Sequence, residues 1–533
     1  MQAQPQTTTA AISWMGVTWY RRVIWLQALT ALAVAVTMLA AGISPAAAAK
    51  PNRSGDSASS FQSCRDMLRN GATMPLDDLR TAIGADVALN QYGLSGGGVG
   101  VAVIDTGVNR VGGLEGNNTV VDGPDFSFDA LQDTLRHRDL HGHGTNMAAI
   151  IAANNSASGD GVAQGAHVVN VKVGAGDGTV DASQVIAAID WVVQNRDLNG
   201  NNIRVISLAY ATDSAQDYRL DPLAHAVQSA WNHGIVVVVA GGNDGRGIAR
   251  LGNPAINPYV IAVGNAQQTP SDGWRVPASS STGDGVRNPD LVAPGTHIMS
   301  AGVGGSYLVN SHPSAVCETN NGALYLRGTG TSQAAAATAG AAALLLEQRP
   351  DLSPDQVKYL LTSTATNIGQ RVEVQGHGLL NLAAAITAPT PGAQATQTHA
   401  PTTGLGSLDA ARGSFHVGIE GDYLQGEMTA FGGDWNAPVW APASAAGVAW
   451  SDQTFGNGDN SWSGGTWSGA TWSGATWSGA TWSGGTWSGA TWSGATWSGA
   501  TWSGATWSGA TWSGATWSGA TWSGATWSGS NWS

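Results

Sequence analysis

Charged side chains are scarce in this chain of 533 residues, since Asp, Glu, Lys and Arg together make up 11% of it. Lysine and arginine number 23 against 36 aspartates and glutamates, and the formal net charge is −13. An acidic balance without a Lys/Arg cluster disfavours nucleic acid as a partner. The length exceeds what one ordinary core needs, so we expect two or more regions.

Cysteine is nearly absent, with Cys64 and Cys317 as the only two. In an oxidising compartment two such thiols can pair, and the alternative is two unpaired cysteines. The sequence does not decide between these alternatives.

Long uncharged apolar runs are also rare, and the longest lies near the N-terminus. Arg21 and Arg22 precede an uncharged run over 23–40, and small residues follow it. A basic flank, an apolar core and a small-residue exit are typical of a secretory signal peptide, which we assign to residues 1–49. The run is also long enough for a membrane anchor, but the small residues favour cleavage. We therefore expect a secreted or cell-surface protein.

Short apolar runs rich in β-branched residues alternate with helical stretches through the middle of the chain. Five runs are typical of strands buried on both faces of a parallel sheet: Val99–Ile104, His167–Val173, Arg204–Tyr210, Ile235–Ala240 and Tyr259–Val263. Helices are predicted over Asp181–Gln194, Ser214–His233 and Ser332–Glu347, and Ser353 before Pro354 indicates the start of another. Repeated β-α-β units predict an α/β fold with a mostly parallel sheet.

Changes in composition divide the rest of the chain. A Pro-, Thr-, Ala- and Gln-rich stretch is typical of a linker, and the acidic-aromatic segment after it has no fold assignment. The predicted regions after the signal peptide are a short N-terminal segment 50–85, the α/β domain 86–388, a linker 389–412, a small segment 413–460 and a repeat tail 461–533.

The tail repeats Thr-Trp-Ser-Gly-Ala, carries no charge and holds 15 of the 24 tryptophans. Glycine at every fifth position argues against a helix, and an odd period sends successive tryptophans to opposite faces of a flat strand. Disorder or loose turns and a narrow, regular β-stack are the alternatives. Exposed tryptophans at fixed spacing would suit sugar rings of a cell wall, while the alternative is a tail without a specific ligand.

Three distant segments carry the side chains of a nucleophilic hydrolase. Asp105 ends an apolar strand, His143 lies in a Gly-His-Gly-Thr stretch, and Ser332 opens an Ala-rich helix. A serine hydroxyl needs an imidazole to take its proton and a carboxylate to orient that imidazole. Backbone N–H groups at a helix start also favour the oxyanion. Alone, Ser332 suits an N-cap and Asp105 a turn, but together the three predict catalysis.

These segments, in the order Asp, His, Ser, resemble those of the subtilisin-like serine peptidases (the subtilase family) over roughly residues 93–388. The resemblance implies a subtilisin-like three-layer α/β fold. It also implies a secreted serine endopeptidase that cleaves protein or peptide substrates through an acyl-enzyme, with Asp105, His143 and Ser332 as its catalytic triad.

Two further stretches resemble the family's binding segments. Gly241-Gly242-Asn243 is similar to a segment whose asparagine amide donates to the oxyanion, which implies that role for Asn243 and substrate contact for the two glycines. Ser207-Leu208-Ala209 is similar to the strand that lines the substrate.

Departures from the family pattern leave a second interpretation open. Gln333 and Ala336 stand where the family has Met and Pro, Ala209 replaces a glycine, and Tyr210 follows it. These changes motivate the alternative of a catalytically impaired pseudo-peptidase that acts as a cell-surface or cell-wall binding protein.

The chemistry implied here requires no cofactor, and we expect no metal site. His141 and His143 are two residues apart, a spacing that brings them together in neither a strand nor a helix. Structural calcium is frequent in the family, but Asp197–Asn202 lacks the glycine at its sixth position and the distal glutamate of a calcium loop. A turn is the better interpretation of that stretch.

Overall fold

The computed structural model describes residues 61–69, 73–116, 119–132, 134–269, 271, 273–419, 422–451 and 454–455, and short strands between 461 and 532. The chain divides into two compact units, the second of which begins at Val448. The predicted signal peptide over 1–49 lies outside the described residues. In the part of the chain that is described, no helix combines the length and apolar character needed to cross a membrane.

The first unit contains strands and helices that alternate along most of its length. Its strands are β1 (Gln62–Ser63), β2 (Gly100–Asp105), β3 (Val120–Asp125), β4 (His167–Lys172), β5 (Ile203–Leu208), β6 (Val236–Ala240), β7 (Ile261–Gln268), β8 (Trp274–Arg275), β9 (Leu291–Pro294), β10 (Ile298–Ala301), β11 (Val316–Glu318), β12 (Leu324–Gly328), β13 (Gly418–Ile419) and β14 (Asp422–Tyr423). Its helices are α1 (Cys64–Arg69), α2 (Leu76–Ile83), α3 (Ala85–Tyr92), α4 (His143–Ala152), α5 (Ala182–Asn195), α6 (Pro222–Asn232), α7 (Tyr307–Ser311), α8 (Thr331–Gln348), α9 (Pro354–Ser363), α10 (Val372–Gln375), α11 (Leu382–Thr387), α12 (Leu408–Arg412) and α13 (Ala437–Ala445).

A central sheet with strand order β3-β4-β2-β5-β6-β7-β8 organises this unit, and β9 pairs with β7 as well. Its pairs are parallel except for β7 with β8. Every residue of β2 and β6 is buried, as expected for parallel strands covered on both faces. Helices α4 and α8 pack against each other, and both contact β2. Helices α5 and α6 also pack against each other, with α5 in contact with β2 and α6 in contact with β6. The predicted α/β fold with a mostly parallel sheet is confirmed.

Capping residues determine where the helices begin. Asp181 and Gln184 form a capping box at the start of α5, and Ser353 does the same with Gln356 at the start of α9. The prediction of one helix over Ser214–His233 is wrong in its first half. The helix begins only at Pro222 because Asp221 caps it by accepting the N–H of Ala224.

A smaller sheet, β1-β11-β12-β10, joins the N-terminal segment to the domain. Next to the parallel pair of β1 and β11, Cys64 and Cys317 form a disulfide across 253 residues of sequence. Of the two alternatives for the cysteines, the structure therefore has the paired one. Residues 61–69 and 73–85 belong to the same compact unit as the sheet.

The stretch 389–412, predicted as a linker, lies within the first unit and packs against the rest of it. The Oη of Tyr259 donates to the carbonyl of His399 at 2.6 Å, and the N–H of Gln397 donates to Asp355 at 3.0 Å. Side chains of the domain thus satisfy the backbone of a stretch whose composition alone suggested a free chain.

The segment after it, which had no predicted fold, docks through α13 on α5 and α6. Trp440 is fully buried, and its Nε1 donates to Asp190 of α5 at 2.7 Å. Ser444 Oγ donates to the same carboxylate at 2.7 Å, and the carbonyl of Ser444 accepts a hydrogen bond from the Oγ of Ser229. Residues 413–447 therefore extend the core of the first unit.

The second unit contains the repeat tail, with short strands from Ser461–Ser463 to Asn531–Trp532. The described strands form parallel pairs between repeats that lie four repeats apart, as in Thr466 with Thr486. The regular stack stays one of the predicted alternatives for the tail. The tryptophan side chains lie outside the described residues, and their contact with glycans stays a prediction.

Candidate active site

The carboxylate of Asp105 and the imidazole of His143 meet at the carboxyl end of β2. Asp105 is the last residue of this buried strand, and His143 is the first residue of α4. His143 Nδ1 lies 2.8 Å from Oδ1 and 2.9 Å from Oδ2 of Asp105. The carboxylate therefore holds the proton on Nδ1 and leaves Nε2 as the basic nitrogen.

Glycine at position 144 permits this close approach of α4 to β2. A Cβ at Gly144 would lie 2.2 Å from the carbonyl oxygen of Gly107 and 3.1 Å from the Cβ of Asp105. Any larger residue would push the helix and its histidine away from the carboxylate.

A buried network below the pair holds the start of α4. Asp139, which is fully buried, accepts hydrogen bonds from the Oγ1 of Thr106 and from the N–H groups of Gly142 and Thr145. Thr106 Oγ1 in turn accepts the N–H of Gly144 at 2.9 Å. Sequence analysis did not propose Asp139 and Thr106, although Thr106 directly follows Asp105 and Asp139 lies shortly before His143. The available signal was the type and position of these residues. Both are polar, lie near a predicted catalytic residue and can accept hydrogen bonds from backbone N–H groups.

The pKa of His143 reflects burial and charge in opposition. Burial lowers the pKa, but the charge of Asp105 and its hydrogen bond outweigh burial, so that the pKa is above its ordinary value. His141 shows the opposite result, since burial and the nearby His143 lower its pKa. His141 stacks on Tyr307 with ring centroids 5.3 Å apart, which gives it a packing role beside the pair.

Ser332 lies in the first turn of α8, the helix that packs against α4. Next to it, the N–H of Thr331 donates to Asn243 Oδ1 at 3.0 Å, and Thr331 Oγ1 accepts the N–H of Gly242 at 3.2 Å. Asn243 therefore bonds to Thr331, the residue directly before Ser332. The carbonyl oxygen of the amide is engaged there, which leaves its Nδ2 to donate elsewhere.

Gln333, the departure beside Ser332, is only 6% exposed. Its Nε2 would lie 2.2 Å from a Cβ at Gly328, and no partner is found for its Oε1 among the described residues. Ala336, at the other departure, is buried inside α8. The glycine at 328 thus provides the room that this longer side chain needs.

The predicted substrate-lining residues separate into two groups. Ala209 lines a cavity of about 450 Å³ that also contains Asp105 and His143, and Tyr210, the departure that follows it, lines the same cavity. Burial, helped by the charge of Asp181, raises the pKa of Tyr210 and keeps its hydroxyl neutral. The other predicted residues, Ser207, Leu208, Gly241 and Gly242, are buried and do not line this cavity.

Three residues that sequence reasoning did not propose also line the cavity: Phe415, His416 and Val417. They belong to the segment without a predicted fold. No sequence motif identifies these three residues. The sequence shows only a Phe-His pair within an acidic segment, which is too little to predict a role.

The stretch Asp197–Asn202 contains a single helical turn, Leu198–Gly200, and several of its polar groups bond to the protein. Asp197 pairs with Arg196 at 3.1 Å, Asn202 Nδ2 donates to the carbonyl of Gly98, and the carbonyl of Asn201 accepts from His167. The oxygens and amides of this turn are directed to protein partners. Within the described ranges, no group of three or more His, Cys, Asp or Glu is arranged to hold a metal ion.

Comparison with known proteins gives a consistent result. Residues 96–381 match the Subtilase family. Serine protease AprX of Bacillus subtilis (strain 168) is 35% identical over 289 residues, which cover 52% of this chain and 63% of AprX. Subtilisin Savinase of Lederbergia lenta is 33% identical over 301 residues, which cover 56% of this chain and 94% of Savinase. The chain therefore spans a little under two thirds of the length of AprX.

Among solved structures, fervidolysin from Fervidobacterium pennivorans, described as a keratinolytic enzyme related to subtilisin, is similar to this chain. It is 28% identical with a TM-score of 0.49, and the match covers 66% of this chain and 50% of that chain.

Proposed function

Because this chain belongs to the subtilase family, we propose that it is a serine endopeptidase with Asp105, His143 and Ser332 as its catalytic triad. The proposal depends above all on one observation, the two close contacts that hold His143 Nδ1 on the carboxylate of Asp105. Orientation of the imidazole by a carboxylate is the feature that makes a histidine an effective base for a serine hydroxyl.

In the proposed mechanism, Ser332 Oγ attacks the carbonyl carbon of the scissile peptide bond while His143 Nε2 removes its proton. The imidazolium then protonates the leaving amine, and an acyl-enzyme remains on Ser332. Water attacks this ester with His143 again as the base, which releases the acid product and restores the serine. Asp105 orients the imidazole and stabilises its positive charge in both halves of the reaction.

Asn243 is the proposed donor to the oxyanion, together with the backbone N–H of Ser332. The support is the bond from Thr331 to Asn243 Oδ1, which fixes the orientation of the amide. A donor that is fixed before the reaction stabilises the developing charge without reorganisation. We propose that no cofactor takes part, since each proton and electron pair is accounted for by these residues and water.

The proposed substrates are proteins or peptides, and the proposed location is outside the cell. The support for secretion is the leader over 1–49, with its basic flank, apolar core and small-residue exit. Contact of the tryptophan repeat with a cell-wall glycan is a separate proposal that the peptidase assignment does not need.

The test compares wild-type protein with Ser332→Ala in two assays, hydrolysis of casein and labelling by a fluorophosphonate probe. We expect labelling only of the wild type and a fall in hydrolysis of at least ~10³-fold in the variant. Wild-type protein that neither labels nor cleaves would favour the pseudo-peptidase. Cleavage that survives in the variant would refute Ser332 as the nucleophile.

A further inference from the structure

The C-terminal extension, defined as the stretch 389–447, forms part of the wall of the cavity that contains Asp105 and His143. This cavity of about 450 Å³ is lined by Asp105 and His143 and also by Phe415 and Val417 of the extension. Phe415 and Val417 lie beyond the residues that match the family, 96–381. The extension therefore contributes a surface to this site that the family match does not cover.

The extension is fixed in this position on its N-terminal side by a buried ion pair. Arg412 is fully buried, and its Nε lies 2.6 Å from Oδ2 of Asp181, the N-cap of α5. Arg412 Nη1 also donates to the carbonyl of Gly426 at 2.7 Å. Separation of a buried ion pair is strongly destabilising. The pair therefore holds Arg412, and with it the start of the stretch that follows, in one position.

A second anchor lies directly before Phe415. Asp213 accepts the N–H of Ser414 at 2.6 Å and its Oγ at 2.5 Å. Burial raises the pKa of Asp213, but these bonds from Ser414 outweigh burial and lower it overall, so the carboxylate is ionised when it holds the segment. Asp213 follows Ala209 and Tyr210 closely in sequence. The bonds from Ser414 to Asp213 therefore connect the extension to a segment that also lines the cavity.

Val417 holds the far end of the short segment. It packs with Leu424 and Phe128 in a small apolar cluster, and its carbonyl accepts the N–H of Leu424 at 2.8 Å. Phe415, between the two anchored ends, is 59% exposed. A large aromatic side chain that lines a cavity and stays exposed offers apolar surface to a ligand.

The stretch from Phe415 to Val417 lines the cavity without filling it. With Phe415 in place the cavity has a volume of about 450 Å³, which lies within the range of ligand pockets. Val173, Val180 and Tyr210 add further apolar surface to the lining. An apolar or aromatic side chain of a substrate fits this lining better than a charged one.

We propose that Phe415 determines substrate specificity: it contacts a large apolar or aromatic side chain of the bound peptide and favours it over a small or acidic one. This inference rests on the proposed peptidase function, because the ligand of the cavity is taken to be a peptide held beside His143. The recognition is by apolar contact, so it adds to binding without taking part in proton transfer.

The experiment uses the full-length protein and fluorogenic peptides in which one position at a time is Phe, Leu, Ala or Asp. We expect one position at which wild type prefers Phe or Leu to Ala, and a fall of about tenfold in that kcat/KM ratio for Phe415→Ala. Tyr423→Ala is the matched control, since Tyr423 is 57% exposed in the same extension and does not line the cavity. It should keep the wild-type ratio.

Fluorophosphonate labelling of each variant establishes that its active site is folded. Should Phe415→Ala not label, Phe415→Trp decides, because a larger wall should move the preference toward smaller side chains. An unchanged ratio in the labelled Phe415 variant overturns the inference. A wild-type protein that neither labels nor cleaves the peptides overturns the proposed function instead, so the two failures are distinguishable.

Discussion

At the scale of single residues, the site depends on where protons and charge are held. Asp105 engages Nδ1 of His143 with both carboxylate oxygens, and Asp139 below them binds backbone N–H groups of α4. One carboxylate thus orients the imidazole of His143, the proposed base, and the other holds the helix that carries it. Neither can replace the other, because each has its oxygens directed at different donors.

The first prediction concerns Asn243. Asn243→Ala removes the proposed oxyanion donor, and we expect kcat to fall about 10²- to 10³-fold with little change in KM, because the oxyanion exists only in the transition state. Steady-state kinetics with a fluorogenic peptide provide the measurement. Asn310→Ala is the control, since Asn310 is exposed on α7 and its side chain donates to the carbonyl of Gly305, away from the proposed triad. Equal loss in both variants would contradict the assignment.

The second prediction is the acid limb of the pH profile. Base catalysis needs neutral His143, whose pKa is raised above 6.5 by Asp105 in spite of burial. Activity is therefore lost as the pH falls through a value above 6.5, and kcat/KM measured from pH 5 to 9 should show this midpoint. Asp105→Asn removes the charge and should move the midpoint to lower pH while kcat falls roughly 10⁴-fold. A wild-type midpoint at or below 6.5 would be inconsistent with this pair.

At the scale of elements, helix α13 docks on α5 through one buried carboxylate. Asp190 accepts from Trp440 and from Ser444, and no cation is paired with it in the described part of the chain. Burial raises the pKa of Asp190 to about 7, although both hydrogen bonds lower it. The attachment of α13 therefore includes a group that prefers to be protonated.

The third prediction follows from the sign of this shift. The folded pKa of about 7 exceeds the ordinary value of 3.8, so between these values the folded state binds the proton more tightly than the unfolded state. The free energy of unfolding then decreases as the pH rises from about 4 to about 7 and is level above that. Asp190→Asn keeps an acceptor for Trp440 without the charge.

We expect Asp190→Asn to raise Tm by roughly 5 °C at pH 8 and to change it little at pH 4.5. Differential scanning calorimetry at the two pH values tests this. Asp197→Asn is a suitable control, because the Asp197 side chain is 71% exposed and should produce no such pH-dependent difference. A Tm gain of equal size at both pH values would show that ionisation is not the cause.

At the scale of the whole molecule, the peptidase fold and the C-terminal extension form one compact unit that ends at Gly447. The extension covers α5 and α6, closes the ion pair of Arg412 with Asp181 and reaches the cavity beside His143. A disulfide between Cys64 and Cys317 connects the other end of this unit to the smaller sheet.

The fourth prediction compares two truncations. A chain that ends after Gly447 should unfold within about 2 °C of the main transition of the full-length protein, since no element of the first unit is removed. A chain that ends after Ala388 loses the packing of Trp440 and the ion pair of Arg412 with Asp181, and it exposes to water the apolar surface of α5 and α6 that the extension covers. We expect it to be insoluble or to melt far lower in a thermal scan. Equal Tm values would mean that the extension is dispensable.

The family motifs were predictable because each is local. Asp105 follows its strand, His143 opens its helix and Ser332 opens another, so a few neighbouring residues identify each one. The strands of the central sheet were predictable for the same reason, since burial on both faces appears as a continuous apolar run. The predicted start of α6 at Ser214 was wrong because a second capping residue, Asp221, lies nearby. The helix begins after Asp221, at Pro222.

The sequence by itself determined the triad candidates and the parallel α/β sheet, because these depend on patterns that neighbouring residues share. Only the tertiary structure decided that Cys64 and Cys317 pair, that residues 389–412 are packed, and that Phe415 lines the same cavity as His143. These contacts join residues that are far apart in the chain, as with the 250 positions between Asp190 and Trp440. Their free energy comes from burial and hydrogen bonds that exist only after folding, so no short stretch of sequence records them.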